Sequence, residues 1–104
     1  MTHALRYSVT VFAAALLLGP SMVSAADLAK GHRVYQQHCS NCHGPRGLSV
    51  MAGVPNFAKG EGLRQPDMML VQMVKTGRKG QPPFMGILAD NDILDALAYS
   101  RTLR

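Results

Sequence analysis

The sequence predicts a small all-α protein with three main helices joined by long loops. Apolar residues recur at helical spacing in three stretches, which begin near Asp27, Pro66 and Asp90. No stretch alternates apolar and polar residues as a half-buried strand does, and Gly and Pro are concentrated between the helical stretches. We find neither an internal repeat nor a linker, so a single folded domain is expected.

Local signals mark where each helix begins and ends. Asp27 is a good N-cap for the first helix, because its carboxylate can accept a hydrogen bond from a free backbone amide. Pro66 suits the first turn of the second helix, which Gly77 should end. The third helix should run from Asp90 towards Arg104, with acidic residues at its positive end.

The first 25 residues predict an export signal. A short segment that carries Arg6 and no acid precedes an apolar run over residues 9–18, and small residues follow a Gly-Pro break. The apolar run is too short to span a bilayer comfortably, although an uncleaved membrane anchor is the alternative. We therefore predict a signal peptide over residues 1–25, a mature domain over residues 26–104, and no stable membrane insertion after cleavage.

The run Cys39-Ser40-Asn41-Cys42-His43 is the attachment signal for a c-type haem. Two thiols at this spacing add to the haem vinyl groups as thioethers, and the adjacent imidazole can reach the iron as the proximal axial ligand. The sequence therefore predicts one covalent haem c per chain, bound through Cys39 and Cys42, with His43 on the iron. The predicted mature domain is short and has few large side chains, so a macrocycle would also fill its core.

Other roles for the two cysteines fit less well. A thioredoxin-like pair needs a preceding strand, and a structural zinc site needs two more ligands at suitable spacing. A lone disulfide would suit an exported protein. None of these alternatives accounts for His43.

The net charge of the chain indicates which classes of partner it can bind. The predicted mature domain keeps ten of the eleven basic residues and all six acidic ones, which gives a formal charge of +4. This balance favours docking on acidic protein surfaces. The chain has no basic run with interleaved aromatic residues, so we do not expect it to bind nucleic acid. A monomer is expected.

These features together resemble the small bacterial class I c-type cytochromes, which carry electrons in the periplasm. The resemblance covers the whole mature part and depends chiefly on the haem motif. Four further features support it: Gly31 and Tyr35 before the motif, Gly44-Pro45 after it, the Pro82-Pro83-Phe84 loop and a last helix that contains Tyr99.

The resemblance implies a cytochrome c-like fold around one covalent haem. It implies that the first and last helices cross where Gly31 meets Tyr99. It also implies that a backbone carbonyl after the motif, at Pro45, accepts a hydrogen bond from the proximal imidazole, which would orient the ring and raise its basicity.

The distal side departs from the family pattern. Members usually read Met-Pro-x-Phe before the last helix, whereas this chain reads Gln81-Pro82-Pro83-Phe84-Met85. Three outcomes stay open: Met85 reaches the iron, Gln81 or a water takes the position, or Met51 or Met73 substitutes. Met85 is the favoured ligand, because a soft thioether suits low-spin iron and raises the potential. The alternative is that Met85 packs against the porphyrin without binding the iron.

The function predicted is one-electron transfer between periplasmic redox proteins, such as a dehydrogenase, a reductase or an oxidase, without enzymatic activity. A dedicated subunit of a dehydrogenase complex is one form of this function. The alternative is a haem sensor or a small peroxidase-like enzyme with an open or weakly ligated distal iron. Only Gln81 favours that alternative, because the chain is too short for a roomy substrate pocket and no distal Arg and His pair can be assigned.

Overall fold

The computed structural model describes residues 25–104 without interruption, together with residues 10–11, 13–15 and 19. Its helices are α1 (Leu28–His38), α2 (Ser40–His43), α3 (Asp67–Thr76) and α4 (Asp90–Ser100), with a 3-10 turn over Phe57–Lys59. Across these residues an isolated bridge between Arg78 and Gln81 is the only β pairing. The all-α prediction with three main helices is confirmed, and α2 is a single added turn that carries the haem motif.

The predicted signal peptide lies mostly outside the described residues. Within the part of the chain that the structure does describe, no helix is both long enough and apolar enough to cross a membrane.

The helix ends follow the predicted signals. The Asp27 carboxylate accepts a hydrogen bond from the backbone N–H of Lys30 at 2.9 Å and so caps α1. Pro66 precedes α3, and Gly77 ends it in the left-handed region with φ +80°. The last helix stops at Ser100, and residues 101–104 follow as a turn and an irregular end.

α1 and α4 cross in direct backbone contact at Gly31. A Cβ atom on Gly31 would lie 2.1 Å from the Asp95 carbonyl oxygen and 3.1 Å from the Tyr99 Cβ atom. The predicted crossing of Gly31 against Tyr99 is therefore found in the structure. The buried Asp95 carboxylate joins the same two helices, because it accepts the Asp27 N–H at 2.9 Å and pairs with Lys30 at 3.3 Å.

α3 packs antiparallel to α4. Asp67 at the start of α3 pairs with Arg101 just beyond α4 at 2.7 Å, and Lys75 at the other end pairs with Asp90 at 2.8 Å. Because these ion pairs are partly exposed, they contribute more to the antiparallel orientation of α3 and α4 than to stability. The stability comes from the apolar cluster beneath them, which comprises Leu63, Leu70, Val71, Ile93 and Leu97.

Candidate haem site

The haem motif continues directly from α1. The Cys39 N–H donates to the Tyr35 carbonyl at 2.8 Å, and the His43 N–H donates to the Cys39 carbonyl at 3.0 Å. This helical continuation places Cys39, Cys42 and His43 at the wall of one cavity. Both cysteines are free thiols and half-buried.

The cavity has a volume of about 440 Å³, and most of its wall is apolar. Its lining comes from the haem motif, the loop after it, α3, the loop after α3 and α4; the apolar members include Val54, Phe57, Leu63, Leu70, Val74, Phe84, Leu88, Ile93 and Leu97. A flat apolar ring is the kind of group that such a cavity accepts. Two free thiols and an imidazole at the same wall supply the anchors that a covalent haem needs.

The His43 ring is held by two contacts. Its Nδ1 atom lies 3.1 Å from the Pro55 carbonyl oxygen, and its ring stacks on Phe57 with centroids 4.0 Å apart and planes 11° apart. Because a carbonyl only accepts, Nδ1 must carry the proton, and Nε2 keeps its lone pair for a metal. Burial lowers the pKa of His43, and the hydrogen bond to Pro55 offsets part of that effect. The neutral imidazole that metal binding requires is therefore favoured.

The carbonyl that holds His43 is not the predicted one. The sequence resemblance assigned it to Pro45, but the Pro45 carbonyl instead accepts a hydrogen bond from the Gln36 side chain at 3.2 Å. The physical reason is Gly44, whose φ of +81° turns the chain away immediately after the motif. The role predicted for Pro45 belongs to Pro55.

Side-chain hydrogen bonds bring Pro55 back to the imidazole. Asn56 accepts the Ser49 N–H at 2.6 Å, and the Asn56 N–H donates to Glu61 at 2.9 Å. No sequence signal identifies Pro55, because every residue of the loop has a carbonyl and only the folded loop selects one. Phe57, which stacks on His43, was missed for the same reason.

Comparisons with known proteins agree with this site. Residues 26–99 match the family model described as cytochrome c oxidase, cbb3-type, subunit III. The chain is 37% identical over 97 residues to cytochrome c6 of Thermosynechococcus vestitus, and the aligned segment covers 88% of this chain and 85% of that protein. It is 32% identical over 79 residues to cytochrome c6 of Gracilaria tenuistipitata, and this aligned segment covers 72% of this chain and 71% of that protein.

The chain belongs to the monohaem class I c-type cytochromes, and it is similar to cytochrome c6. The predicted cofactor is confirmed: the cytochrome carries one covalent haem c. Its class is that of electron carriers that exchange electrons with other redox proteins, not that of enzymes.

Met85, the predicted distal ligand, does not reach the cavity of this cytochrome. Its side chain is 61% exposed and is absent from the lining. The backbone N–H groups of Phe84 and Met85 donate to the carbonyls of Val74 and Lys75, both at 3.1 Å, which fastens the loop to the end of α3. Phe84 lines the cavity, whereas Met85 is exposed outside its wall, and iron binding by Met85 stays a prediction that this placement does not favour.

Of the other candidates for the distal ligand, some line the cavity and one does not. Gln81 and Met73 both line the cavity. Met51 is 48% exposed and lies outside the lining. His38 is half-buried at the cavity wall, and its ring lies edge-on to that of Phe84 with centroids 5.6 Å apart.

Tyr35 supports the haem motif from beneath. Its side chain is fully buried, and its hydroxyl donates to the Gly44 carbonyl at 2.6 Å. Burial raises the pKa of Tyr35 to about 12, so the hydroxyl keeps its proton at neutral pH. The hydrogen bond ties α1 to the residue that follows His43.

Tyr35→Phe is expected to lower the free energy of unfolding by about 1.5 kcal/mol, because the Gly44 carbonyl loses its buried donor. Denaturant unfolding of the haem-loaded protein, followed by haem absorbance, measures the change. Tyr99→Phe is the matched control, since no hydrogen bond from the Tyr99 hydroxyl is found within residues 25–104. Equal losses in the two variants would contradict a role for the bond to Gly44.

Proposed function

We propose that this cytochrome carries single electrons between redox proteins of the periplasm, such as a dehydrogenase, a reductase or an oxidase. The observation that supports this most directly is the apolar cavity that both free thiols and His43 line. In the proposal Cys39 and Cys42 form the thioethers and His43 is the proximal axial ligand. The haem supplies a one-electron couple, and the surrounding side chains exclude water and hold the imidazole.

The periplasmic location is the finer part of the proposal. It depends on the export signal predicted over residues 1–25.

The mouth of the cavity supports docking on an acidic partner. Arg78 and Lys79 are both exposed and line the cavity, beside the exposed ring of Pro82. Lys75, by contrast, is paired with Asp90 at 2.8 Å. Two cations around an apolar opening would steer an acidic partner to the place where an electron enters and leaves.

Electron exchange with small charged reagents tests this docking site. We expect the reduced cytochrome to transfer its electron to anionic ferricyanide at a rate that falls as ionic strength rises. Arg78→Ala with Lys79→Ala should slow that reaction several-fold at low salt, because the positive field near the cavity mouth is removed. Stopped-flow absorbance of the haem measures the rate.

The matched control is Arg33→Ala with Arg46→Ala. These two arginines are also exposed, but neither lines the cavity, and the variant loses the same formal charge. If both double variants slow the reaction equally, net charge alone is responsible and the docking site is rejected.

A further inference from the structure

The cavity wall contains few side chains that could bind iron as the distal ligand. Besides His43, the lining residues with a nitrogen, oxygen or sulfur atom that could serve are His38, Gln65, Met73, Lys79, Gln81 and Ser100. If the protein itself supplies the distal ligand of the haem iron, one of these residues is the donor.

Local structure disfavours three of them. The Ser100 hydroxyl donates to the Ala96 carbonyl at 2.7 Å within α4. His38 immediately precedes Cys39, which would be tied to the porphyrin edge, and its ring packs against Phe84. Lys79 is exposed, and its ammonium has donors but no lone pair.

Met73 and Gln65 are disfavoured by their positions. Met73 lies within α3 and packs against the apolar cluster that contains Leu70 and Val71, as a core methionine does. Gln65 is exposed on the loop just before Pro66.

Gln81 is half-buried at the cavity wall, on a short turn whose backbone is hydrogen-bonded. Its N–H donates to the Arg78 carbonyl at 2.9 Å, and its carbonyl accepts the Arg78 N–H at 3.2 Å. This turn packs closely on Gly77, where a Cβ atom would lie 2.8 Å from the Gln81 carbonyl oxygen. Within residues 25–104, no other group forms a hydrogen bond with the Gln81 side-chain amide, so its oxygen is free to bind a metal.

We propose that the side-chain oxygen of Gln81, not the sulfur of Met85, is the protein's donor at the distal position of the haem iron. Met85 is 61% exposed, and the hydrogen bonds from Phe84 and Met85 to α3 hold its loop where the side chain lies outside the cavity wall, so iron binding by Met85 requires this loop to rearrange. Gln81 needs no such rearrangement.

The donor atom has a consequence for the redox couple. An amide oxygen is a hard donor that favours ferric iron, whereas a thioether is soft and raises the potential. The cytochrome should therefore have a lower reduction potential than a variant with methionine at position 81. Its electron donor would then have to be a stronger reductant.

Spectroscopy of the haem-loaded full chain tests the proposal. The ferric parent should lack the weak near-infrared band that arises from sulfur-to-iron charge transfer. Gln81→Met should introduce that band and raise the reduction potential. Gln81→Ala should change the electron paramagnetic resonance spectrum of the ferric iron, because water would replace the amide.

Two conservative variants serve as controls. Met85→Leu and Met73→Leu should leave the near-infrared spectrum and the potential of the parent unchanged. A parent band that disappears in either control would overturn the proposal in favour of that methionine. Identical resonance spectra of the parent and Gln81→Ala, or no band in Gln81→Met, would also overturn it.

The experiment is independent of the proposed redox partners. It rests on the covalent haem alone, whose content in each variant is checked by the absorbance of its pyridine complex. A negative result would remove Gln81 as ligand and leave the proposal of periplasmic electron transfer standing.

Discussion

Replacement of both thiols, Cys39→Ala with Cys42→Ala, is expected to abolish covalent haem attachment completely. The two cysteines are the only ones in the chain, so no other thiol can form the thioethers. A haem stain after denaturing electrophoresis and the mass of the intact protein measure the loss directly. We expect a colourless band at the mass of the bare polypeptide.

The same variant should also fold poorly. Its cavity of about 440 Å³ would lack a covalently held occupant, and apolar side chains of α3, α4 and the loops around them would lose their packing partner. The domain is short, and chains of this size depend on a cofactor or cross-link for part of their core. Circular dichroism of the purified variant should show a large loss of helix.

Asn41→Ala is the matched control. Asn41 lies between the two cysteines on α2, and its side chain is exposed. The substitution preserves the spacing of the thiols and the histidine, so we expect a full complement of haem. Retention of haem by the double cysteine variant through denaturation would refute thioether attachment.

Gly31→Ala is expected to reduce the free energy of unfolding by about 3 kcal/mol. A single methyl group would lie 2.1 Å from the Asp95 carbonyl oxygen, which belongs to the backbone of α4 and cannot rotate away. Alanine is favoured over glycine within a helix by about 1 kcal/mol, but the forced separation of α1 and α4 should outweigh that gain.

Thermal and denaturant unfolding of the haem-loaded protein measure this effect. Gln37→Ala, at an exposed position of the same helix, should change stability by no more than about 0.5 kcal/mol. Equal stability of Gly31→Ala and the parent would show that the two helices can move apart at little cost. The close crossing would then not be a determinant of the fold.

Local sequence was sufficient to predict the helices and the anchor of the cofactor. The Asp27 cap, the Gly77 terminus and the spacing of Cys39, Cys42 and His43 depend on contacts within a few residues, so their chemistry is visible in the order of residues. The contact between Gly31 and Tyr99 spans most of the domain. It was anticipated only through the resemblance to a known family.

The tertiary structure alone decided which groups surround the iron site. Pro45 and Pro55 offer the same carbonyl chemistry, and only the turn at Gly44 and the hydrogen bonds of Asn56 select Pro55. Similarly, Met85 is the better ligand by chemistry, but backbone hydrogen bonds to α3 turn it outwards and leave Gln81 at the wall. The sequence by itself determined the cofactor and its anchors, because covalent attachment is local. The path of each loop is set by long-range hydrogen bonds and packing, so the groups that contact His43 and line the cavity became visible only in the fold.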